Sequence, residues 1–358
     1  MSKSGISIPT ETIGSIPRPD YLLNAMQQFG AGNLTAAELK ATMDKATLET
    51  IRRLEEIGSP VITDGEQSKP SFVTYAIDGS KSIVPGGVTI PFADGHTRQL
   101  PSASGKFAYT HFASEFLLEA KKLTSCPIKQ AVISPSAMAL LYPSSGIPNY
   151  TRDQFIADVI DQSVLDIRKC LDGGASSVQI DCTELRLALK LDPSGSVLRE
   201  FVDLINKVLE KFTPAQRALI GIHTCPGADQ DATHSLDVDY AELIPTLFKI
   251  NAGRFYMELA AEIDRERVLS IISSHLRENC KVFLGVIDVN DPRVETPEEV
   301  RDRVLEIARH IPVDRFGTCD DCGFSPFADD KSTSRETAFA KIRARIQGTK
   351  LACDMLGL

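Results

Sequence analysis

The chain has 358 residues, which is enough for a large hydrophobic core and for one α/β barrel. It carries 39 basic and 48 acidic residues with no basic block, which excludes a surface built to bind nucleic-acid phosphates. No apolar run approaches the ~18 residues of a membrane helix, and the N-terminus lacks the pattern of a secretion signal. We therefore expect a cytoplasmic protein whose eight cysteines are thiols or metal ligands rather than disulfides.

Short runs rich in Val and Ile alternate along the chain with longer segments of helical periodicity. Apolar runs without alternation are typical of a parallel sheet that is covered on both faces. The predicted strands are Glu11–Ile16, Pro60–Asp64, Ile128–Ile133, Ser177–Asp181, Ala218–His223, Arg254–Leu259, Lys281–Asp288 and Arg315–Thr318. Four intervening helices begin with capping boxes, at Thr35-Ala-Ala-Glu38, Thr151-Arg-Asp-Gln154, Thr213-Pro-Ala-Gln216 and Thr296-Pro-Glu-Glu299.

Eight strand–helix repeats predict an α/β fold, specifically a (β/α)₈ TIM barrel that forms a single domain over residues 1–358. An open doubly wound sheet is the alternative, but the glycine-rich dinucleotide fingerprint is missing. Residues 82–99 interrupt the repeats with turn sequences and alternating apolar positions, which predicts a β-hairpin inserted after the second strand and capping the barrel mouth. Residues 334–358 are predicted to form a C-terminal helix that closes the outer ring.

The ends of three predicted strands carry metal-binding side chains, and the carboxyl ends of barrel strands are where functional groups lie. The fifth strand ends in His223-Thr224-Cys225, and in an extended segment residues two apart point to the same side. Glu258 ends the sixth strand and Cys322 follows the eighth. The resulting His, Cys, Glu and Cys set has the number and softness of ligands that suit Zn²⁺. A lone His-x-Cys is more often a histidine beside a buried thiol, so the prediction depends on all four residues.

Cys319 and Cys322 form a C-x-x-C motif, which in a thioredoxin-like context is a redox dithiol. Here the motif follows the last strand of a much longer array, and the acidic residues between the cysteines oppose a lowered thiol pKa. We therefore interpret Cys322 as a metal ligand and Cys319 as a bystander or a spare ligand.

Taken in order, the motifs resemble those in the catalytic C-terminal barrel of the cobalamin-independent methionine synthase family. The resemblance extends from about Thr10 to Gly323 and rests on Thr12-Ile-Gly-Ser15, Asp64-Gly-Glu66, Gln179-Ile-Asp181, His223-x-Cys225, Glu258, Leu284–Arg293 and Asp321-Cys322-Gly323. It implies that His223, Cys225, Glu258 and Cys322 hold a catalytic zinc, which binds the sulfur of homocysteine.

The resemblance also implies an amino-acid site in which Asp181 and Glu66 pair with the ammonium group. The implied substrate-binding residues are Ile13, Gly14, Ser15, Glu66, Asp181 and Asn290. Glu258 and Asp181 are the implied catalytic residues, and Glu258 would leave or lengthen as the substrate sulfur arrives. The alternative is that Glu66 and Asp181 are solvated carboxylates at strand ends or caps of helices.

Two departures from the family bear on the methyl donor. The family's pterin stacks on a tryptophan, and this sequence contains none. The family's histidine, which assists proton delivery at the donor nitrogen, is replaced by Asn290, and an amide is not an acid near neutral pH. We therefore expect the thiol half of the site to be intact and methyltetrahydrofolate to be a poor donor.

The predicted function is zinc-dependent transfer of a methyl or other alkyl group to an activated, homocysteine-like small-molecule thiol. The donor would be a methyl-donor protein, such as a methyl-corrinoid protein, or an activated small molecule. Two other enzymes remain open, namely a thiol alkyl transferase acting on an epoxide or other electrophile and a C–S lyase of specialised metabolism. The non-enzyme alternative is a catalytically silent zinc- or thiol-binding relative. No nucleic-acid or membrane partner is expected.

Overall fold

A computed structural model describes residues 7–358 of the chain. Its strands are β1 (Ile83–Val84), β2 (Thr89–Pro91), β3 (Thr97–Gln99), β4 (Ser102–Ala103), β5 (Lys129–Ile133), β6 (Ser177–Asp181), β7 (Ile220–Thr224), β8 (Ala228–Asp229), β9 (Ala232–Thr233), β10 (Arg254–Met257), β11 (Lys281–Gly285) and β12 (Phe316–Cys319). Its helices are α1 (Asp20–Gly30), α2 (Ala36–Glu56), α3 (Ala113–Lys121), α4 (Pro135–Ala139), α5 (Arg152–Asp172), α6 (Glu184–Leu191), α7 (Ser196–Leu209), α8 (Pro214–Arg217), α9 (Tyr240–Leu247), α10 (Arg265–His275), α11 (Pro297–His310) and α12 (Arg335–Leu356).

Six strands form one parallel sheet in the order β12, β11, β10, β7, β6, β5. An extended segment pairs with each edge: Thr10 with Thr318 on β12, and Ile62 with the residue before β5. These two segments are joined by a hydrogen bond from the Ile16 amide to the Gly65 carbonyl oxygen, 3.0 Å long. The parallel sheet confirms the predicted α/β fold, and the eight segments are arranged around a ring. The first two predicted strands are extended segments that pair through isolated bridges rather than strands of the sheet.

The burial of the strands explains why their sequences lack alternation. Every residue of β5, β6 and β7 is buried, because one face of the sheet packs inside the ring and the other packs against helices. The four predicted capping boxes are all present, each with a Thr side chain accepting from the third helical amide, at Thr35, Thr151, Thr213 and Thr296. The local signals that start the helices therefore agree with the global fold.

The interrupting segment folds as predicted, with β2 and β3 paired antiparallel as a hairpin. Arg98 on β3 fixes it to two barrel loops. Its guanidinium donates to Asp229 at 2.5 and 3.0 Å and to Asp329 at 2.8 and 2.9 Å. The Ala93 amide at the hairpin turn donates to the Thr233 carbonyl oxygen at 3.0 Å. The hairpin is thereby held to the loops that follow β7 and β12.

The C-terminal helix α12 packs against α11 and is tied to the barrel by buried ion pairs. Arg345 donates to the Asp320 carboxylate just after β12, and Lys341 contacts Glu295 at 2.8 Å. Through residues 7–358, no helix combines the length and hydropathy that crossing a bilayer requires.

Candidate active site

Three of the four predicted metal ligands converge at the carboxyl ends of β7 and β12. The ligand atoms of His223, Cys225 and Cys322 all lie within 4.8 Å of one another. The two sulfur atoms are 2.8 Å apart, and all three side chains are buried. The extended backbone at the carboxyl end of β7 places His223 and Cys225 on one side, as the i, i+2 spacing predicts.

The surroundings of these side chains fit a divalent metal. Nδ1 of His223 lies 3.3 Å from the carbonyl oxygen of Tyr256, and ligating histidines are commonly oriented in this way through the nitrogen that does not bind the ion. The hydrogen bond with Cys225 and burial together raise the pKa of Cys322 well above its usual value. A bound cation would favour the thiolate instead, because ligating thiols are deprotonated. Two sulfurs and one imidazole in a buried pocket are a donor set that suits Zn²⁺.

Glu258 is the fourth predicted ligand. Among the described residues, the group whose ligand atoms all lie within 4.8 Å of one another does not include it. Its Oε1 accepts a hydrogen bond from Nη1 of Arg186. The same nitrogen also donates to Oε1 of Glu262, at 2.8 Å. Oε2 of Glu258 is buried and has no hydrogen-bond partner. Leaving a buried carboxylate oxygen unpaired is unfavourable, so one oxygen of Glu258 remains available to a ligand.

Asp321 links the loop after Glu258 to the loop that carries Cys322. Its two carboxylate oxygens accept hydrogen bonds of 2.8–2.9 Å from three consecutive backbone amides, those of Leu259, Ala260 and Ala261. The loops after β10 and β12 are therefore held in a fixed relation, which positions Glu258 with respect to Cys322.

A cavity adjoins the cluster of ligands. Its lining includes His223 and Cys322 together with five of the six predicted substrate-binding residues, namely Ile13, Gly14, Ser15, Glu66 and Asp181. The sixth, Asn290, lines a small neighbouring pocket that shares Ala228, Gly323 and Pro326 with this cavity. The structure therefore brings the amino-acid half of the predicted site together and places Asn290 in the adjoining pocket.

Glu66 and Asp181 are 3% and 7% exposed, so they are not solvated strand-end carboxylates. Lys69 donates to Glu66 at 2.9 Å, and Gln179 donates to Asp181 at 2.7 Å. Burial raises the pKa of both carboxyls, opposed mainly by Lys69 at Glu66 and by His223 at Asp181. An added cation would relieve this burial penalty, so both groups can receive the ammonium of a ligand.

The turn that presents Glu66 requires glycine before it. Gly65 has φ +66°, and a Cβ there would lie 2.6 Å from the side chain of Thr50. Glu66 itself has φ +56°, and its carbonyl oxygen accepts from Arg18 at 2.8 Å. The Asp-Gly-Glu sequence thus forms a strained turn that is held by hydrogen bonds and directs the Glu66 carboxylate into the cavity.

Sequence reasoning missed Arg186 and the aromatic residues of the cavity. Arg186 is a fully buried cation within an otherwise apolar stretch of α6, and that anomaly was the available signal. Phe72, Phe92 and Phe327 come from three distant loops, which no local pattern connects. Cys319 lies outside the group of ligands and packs in a buried cluster with Ile13, Tyr256 and Phe283.

A ring of parallel strands with a buried imidazole–thiol cluster at its mouth defines an α/β protein with a candidate metal site where barrel enzymes place their functional groups. The chain belongs to the family described as cobalamin-independent synthase, catalytic domain, whose model matches residues 8–347. The predicted family is thereby confirmed, and with it the prediction that the chain is an enzyme.

Curated relatives resemble the chain over almost its whole length, and solved structures share its fold. The methionine synthases of Saccharolobus solfataricus and Sulfurisphaera tokodaii are 22% and 24% identical, over 98% of this chain and 96% and 94% of their own lengths. A B12-independent methionine synthase from Shewanella sp. W3-18-1, in complex with selenomethionine, superposes with a TM-score of 0.78 at 20% identity, covering 98% of this chain and 99% of its own. A putative vitamin-B12-independent methionine synthase from Listeria monocytogenes gives 0.72 at 20% identity, with 97% and 98% covered.

Proposed function

We propose that this enzyme transfers a methyl group to the sulfur of homocysteine or a closely similar amino-acid thiol, with zinc as its cofactor. The observation that carries the proposal is the single cavity that adjoins the His223, Cys225 and Cys322 cluster and also contains two buried carboxylates. Family membership and the names of the curated relatives support it.

The ligands of the proposed zinc are His223, Cys225 and Cys322, with Glu258 as the fourth through its unpaired oxygen. Bound there, Zn²⁺ supplies a Lewis acid that lowers the pKa of a thiol and so provides the thiolate nucleophile at neutral pH. The donor set contains the soft sulfur and borderline nitrogen atoms that this ion prefers.

The other cavity residues position the amino acid that bears the thiol. Glu66 and Asp181 receive its ammonium group, and the Ile13–Ser15 segment lines the same wall. Burial of these groups excludes water from the reacting sulfur and strengthens the charge interactions that orient it.

Two substitutions separate metal binding from thiol binding. Cys322→Ser should remove most of the zinc, because it deletes one of the sulfur ligands. Asp181→Asn should retain about one zinc per chain and weaken homocysteine binding roughly 10-fold or more, because it removes one charge that faces the ammonium. Zinc content is measured by elemental analysis and affinity by calorimetry. Full zinc retention in Cys322→Ser, or unchanged thiol affinity in Asp181→Asn, would contradict the proposal.

A further inference from the structure

A column of three buried polar side chains lies inside the barrel and ends at the cavity. Asp181, the last residue of β6, lines the cavity, Gln179 lies two residues earlier on the same strand, and Lys129 begins β5. The register of the two strands sets Lys129 opposite Ser177, so the column runs from the amino end of the sheet toward Asp181. Burying an amide and an ammonium is unfavourable unless both are paired, so the pairing of these groups is informative.

The hydrogen bonds of the column all run in one direction. Nζ of Lys129 donates to Oε1 of Gln179 at 2.8 Å, and Nε2 of Gln179 donates to Oδ1 of Asp181 at 2.7 Å. Because an ammonium has donors and no acceptor, it requires the oxygen of the amide and turns the NH₂ group toward Asp181. Lys129 therefore sets the orientation of Gln179, which holds one carboxylate oxygen of Asp181 and leaves the other for a ligand.

Lys129 is itself fixed from the far side of the column. Its Nζ lies 3.6 Å from Oε2 of Glu11 and 4.1 Å from the centroid of the Tyr256 ring. The Tyr256 hydroxyl donates to the same oxygen of Glu11 at 2.7 Å. Burial lowers the pKa of Lys129, and the charge of Glu11 is the largest opposing effect. The carboxylate and the aromatic face both favour the ammonium form, so the column begins at an anchored cation.

Glu66, the other carboxylate of the cavity, is held in a different way. Lys69 donates directly to its Oε1 at 2.9 Å, so an ammonium in contact already compensates the charge of Glu66. Lys129 is separated from Asp181 by the length of an amide, and Coulomb attraction weakens with distance. Asp181 therefore keeps more of its negative charge for the ammonium of a ligand.

Resting on the proposed function, we propose that Lys129 and Gln179 are positioning residues for recognition of the amino group of the thiol substrate. They hold the Asp181 carboxylate in the orientation that receives the substrate ammonium. Neither belongs to the described residues that line the cavity, so both act through Asp181. Selectivity for a thiol that bears an amino group thus depends on side chains that the substrate does not touch.

The test compares two thiols by calorimetry with the full-length, zinc-loaded protein. Homocysteine has the amino group, and γ-mercaptobutyrate has the same thiol chain and carboxylate without it. Lys129→Met and Gln179→Met keep similar volume but break the column, and each should weaken homocysteine binding about 5-fold or more. Binding of γ-mercaptobutyrate should stay within about 2-fold of the native value, because this ligand makes no use of the orientation of Asp181.

Lys341→Met is the matched control. It removes another fully buried lysine, paired with Glu295 at 2.8 Å, that does not line the cavity. Both affinities should stay within about 2-fold in this variant, because its effect is confined to the packing of α12.

The outcomes separate the inference from the proposed function. A loss confined to homocysteine supports the positioning role, whereas equal losses for both thiols, or no loss, overturn it. If Lys129→Met does not fold, Gln179→Met alone decides the question. A native protein that binds both thiols equally, or neither of them at the metal, contradicts the proposed function itself. A native preference for homocysteine that both variants retain overturns only the inference.

A double-mutant cycle tests whether Lys129 acts through Asp181. In an Asp181→Asn background, adding Lys129→Met should weaken homocysteine binding by less than about 2-fold, because the group that it positions is already lost. A further loss of about 5-fold in that background would show a separate route and overturn the assignment.

Discussion

At the scale of single residues, Glu258 connects the charge network of the core to the proposed metal. One of its oxygens is bound by Arg186 and the other is unpaired, although the side chain is fully buried. A carboxylate held on one side and open on the other can coordinate an ion without losing its orientation. Glu262 contacts the same arginine from a more exposed position.

These two glutamates provide a matched comparison. Glu258→Gln should lower zinc affinity at least about 10-fold, because an amide is a weaker ligand than a carboxylate. Glu262→Gln changes the other partner of Arg186 and should leave zinc affinity within about 2-fold. Competition with a chromophoric chelator measures both. Equal losses in the two variants would show that Glu258 acts through Arg186 rather than as a ligand.

Asp166 provides a residue-scale test of the core away from the cavity. It is buried and accepts hydrogen bonds of 2.7 Å from the Tyr75 hydroxyl and the Ala113 amide. Burial nevertheless raises the pKa of its carboxyl to about 6, above the value of about 3.9 expected in the unfolded chain. The folded protein therefore binds this proton more tightly than the unfolded chain does. The stability gained is fully present below about pH 4 and is lost as the pH rises through about 6.

Asp166→Asn should flatten this pH dependence, because the amide remains neutral. The stability of the native protein relative to the variant should fall by about 2 kcal/mol between pH 4 and pH 7, because the folded and unfolded pKa values differ by about two units. Urea unfolding at several pH values measures the difference, with Asp161→Asn on the exposed face of the same helix as the control. A constant difference across this range would show that the folded pKa is not raised.

At the scale of elements, the hairpin of β2 and β3 forms part of the wall of the cavity. Ile90, Phe92 and Arg98 all line the cavity, and Arg98 ties the hairpin to the loops after β7 and β12. The alternation of apolar residues predicted the hairpin. Its attachment could not be predicted, because Asp229 and Asp329 are more than a hundred residues away along the chain.

Arg98→Met should release the hairpin while preserving most of the apolar stem. Amide hydrogen exchange in residues 83–103 should become about 10-fold faster, and the KM for the methyl donor should rise, because a paired arginine with good bidentate geometry contributes on the order of 1–2 kcal/mol. Arg53→Met, which removes a more exposed bidentate pair with Glu336, is the control. Unchanged exchange in the hairpin of Arg98→Met would contradict this role.

At the scale of the whole molecule, the barrel explains how much of the site could be predicted. Because a barrel gathers the carboxyl ends of its strands at one mouth, the order of strands alone indicated that His223, Cys225 and Cys322 would meet. The same logic brought Glu66 and Asp181 to the shared cavity. The partner of Glu258 and the location of Asn290 depend on how loops pack above the mouth, which strand order does not determine.

The most direct test of the central claim is X-ray absorption at the zinc edge of the full-length protein, recorded without and with homocysteine. Two sulfur neighbours, from Cys225 and Cys322, are predicted before the addition, and three afterwards. A count of two in both spectra, or a metal without sulfur neighbours, would contradict the account.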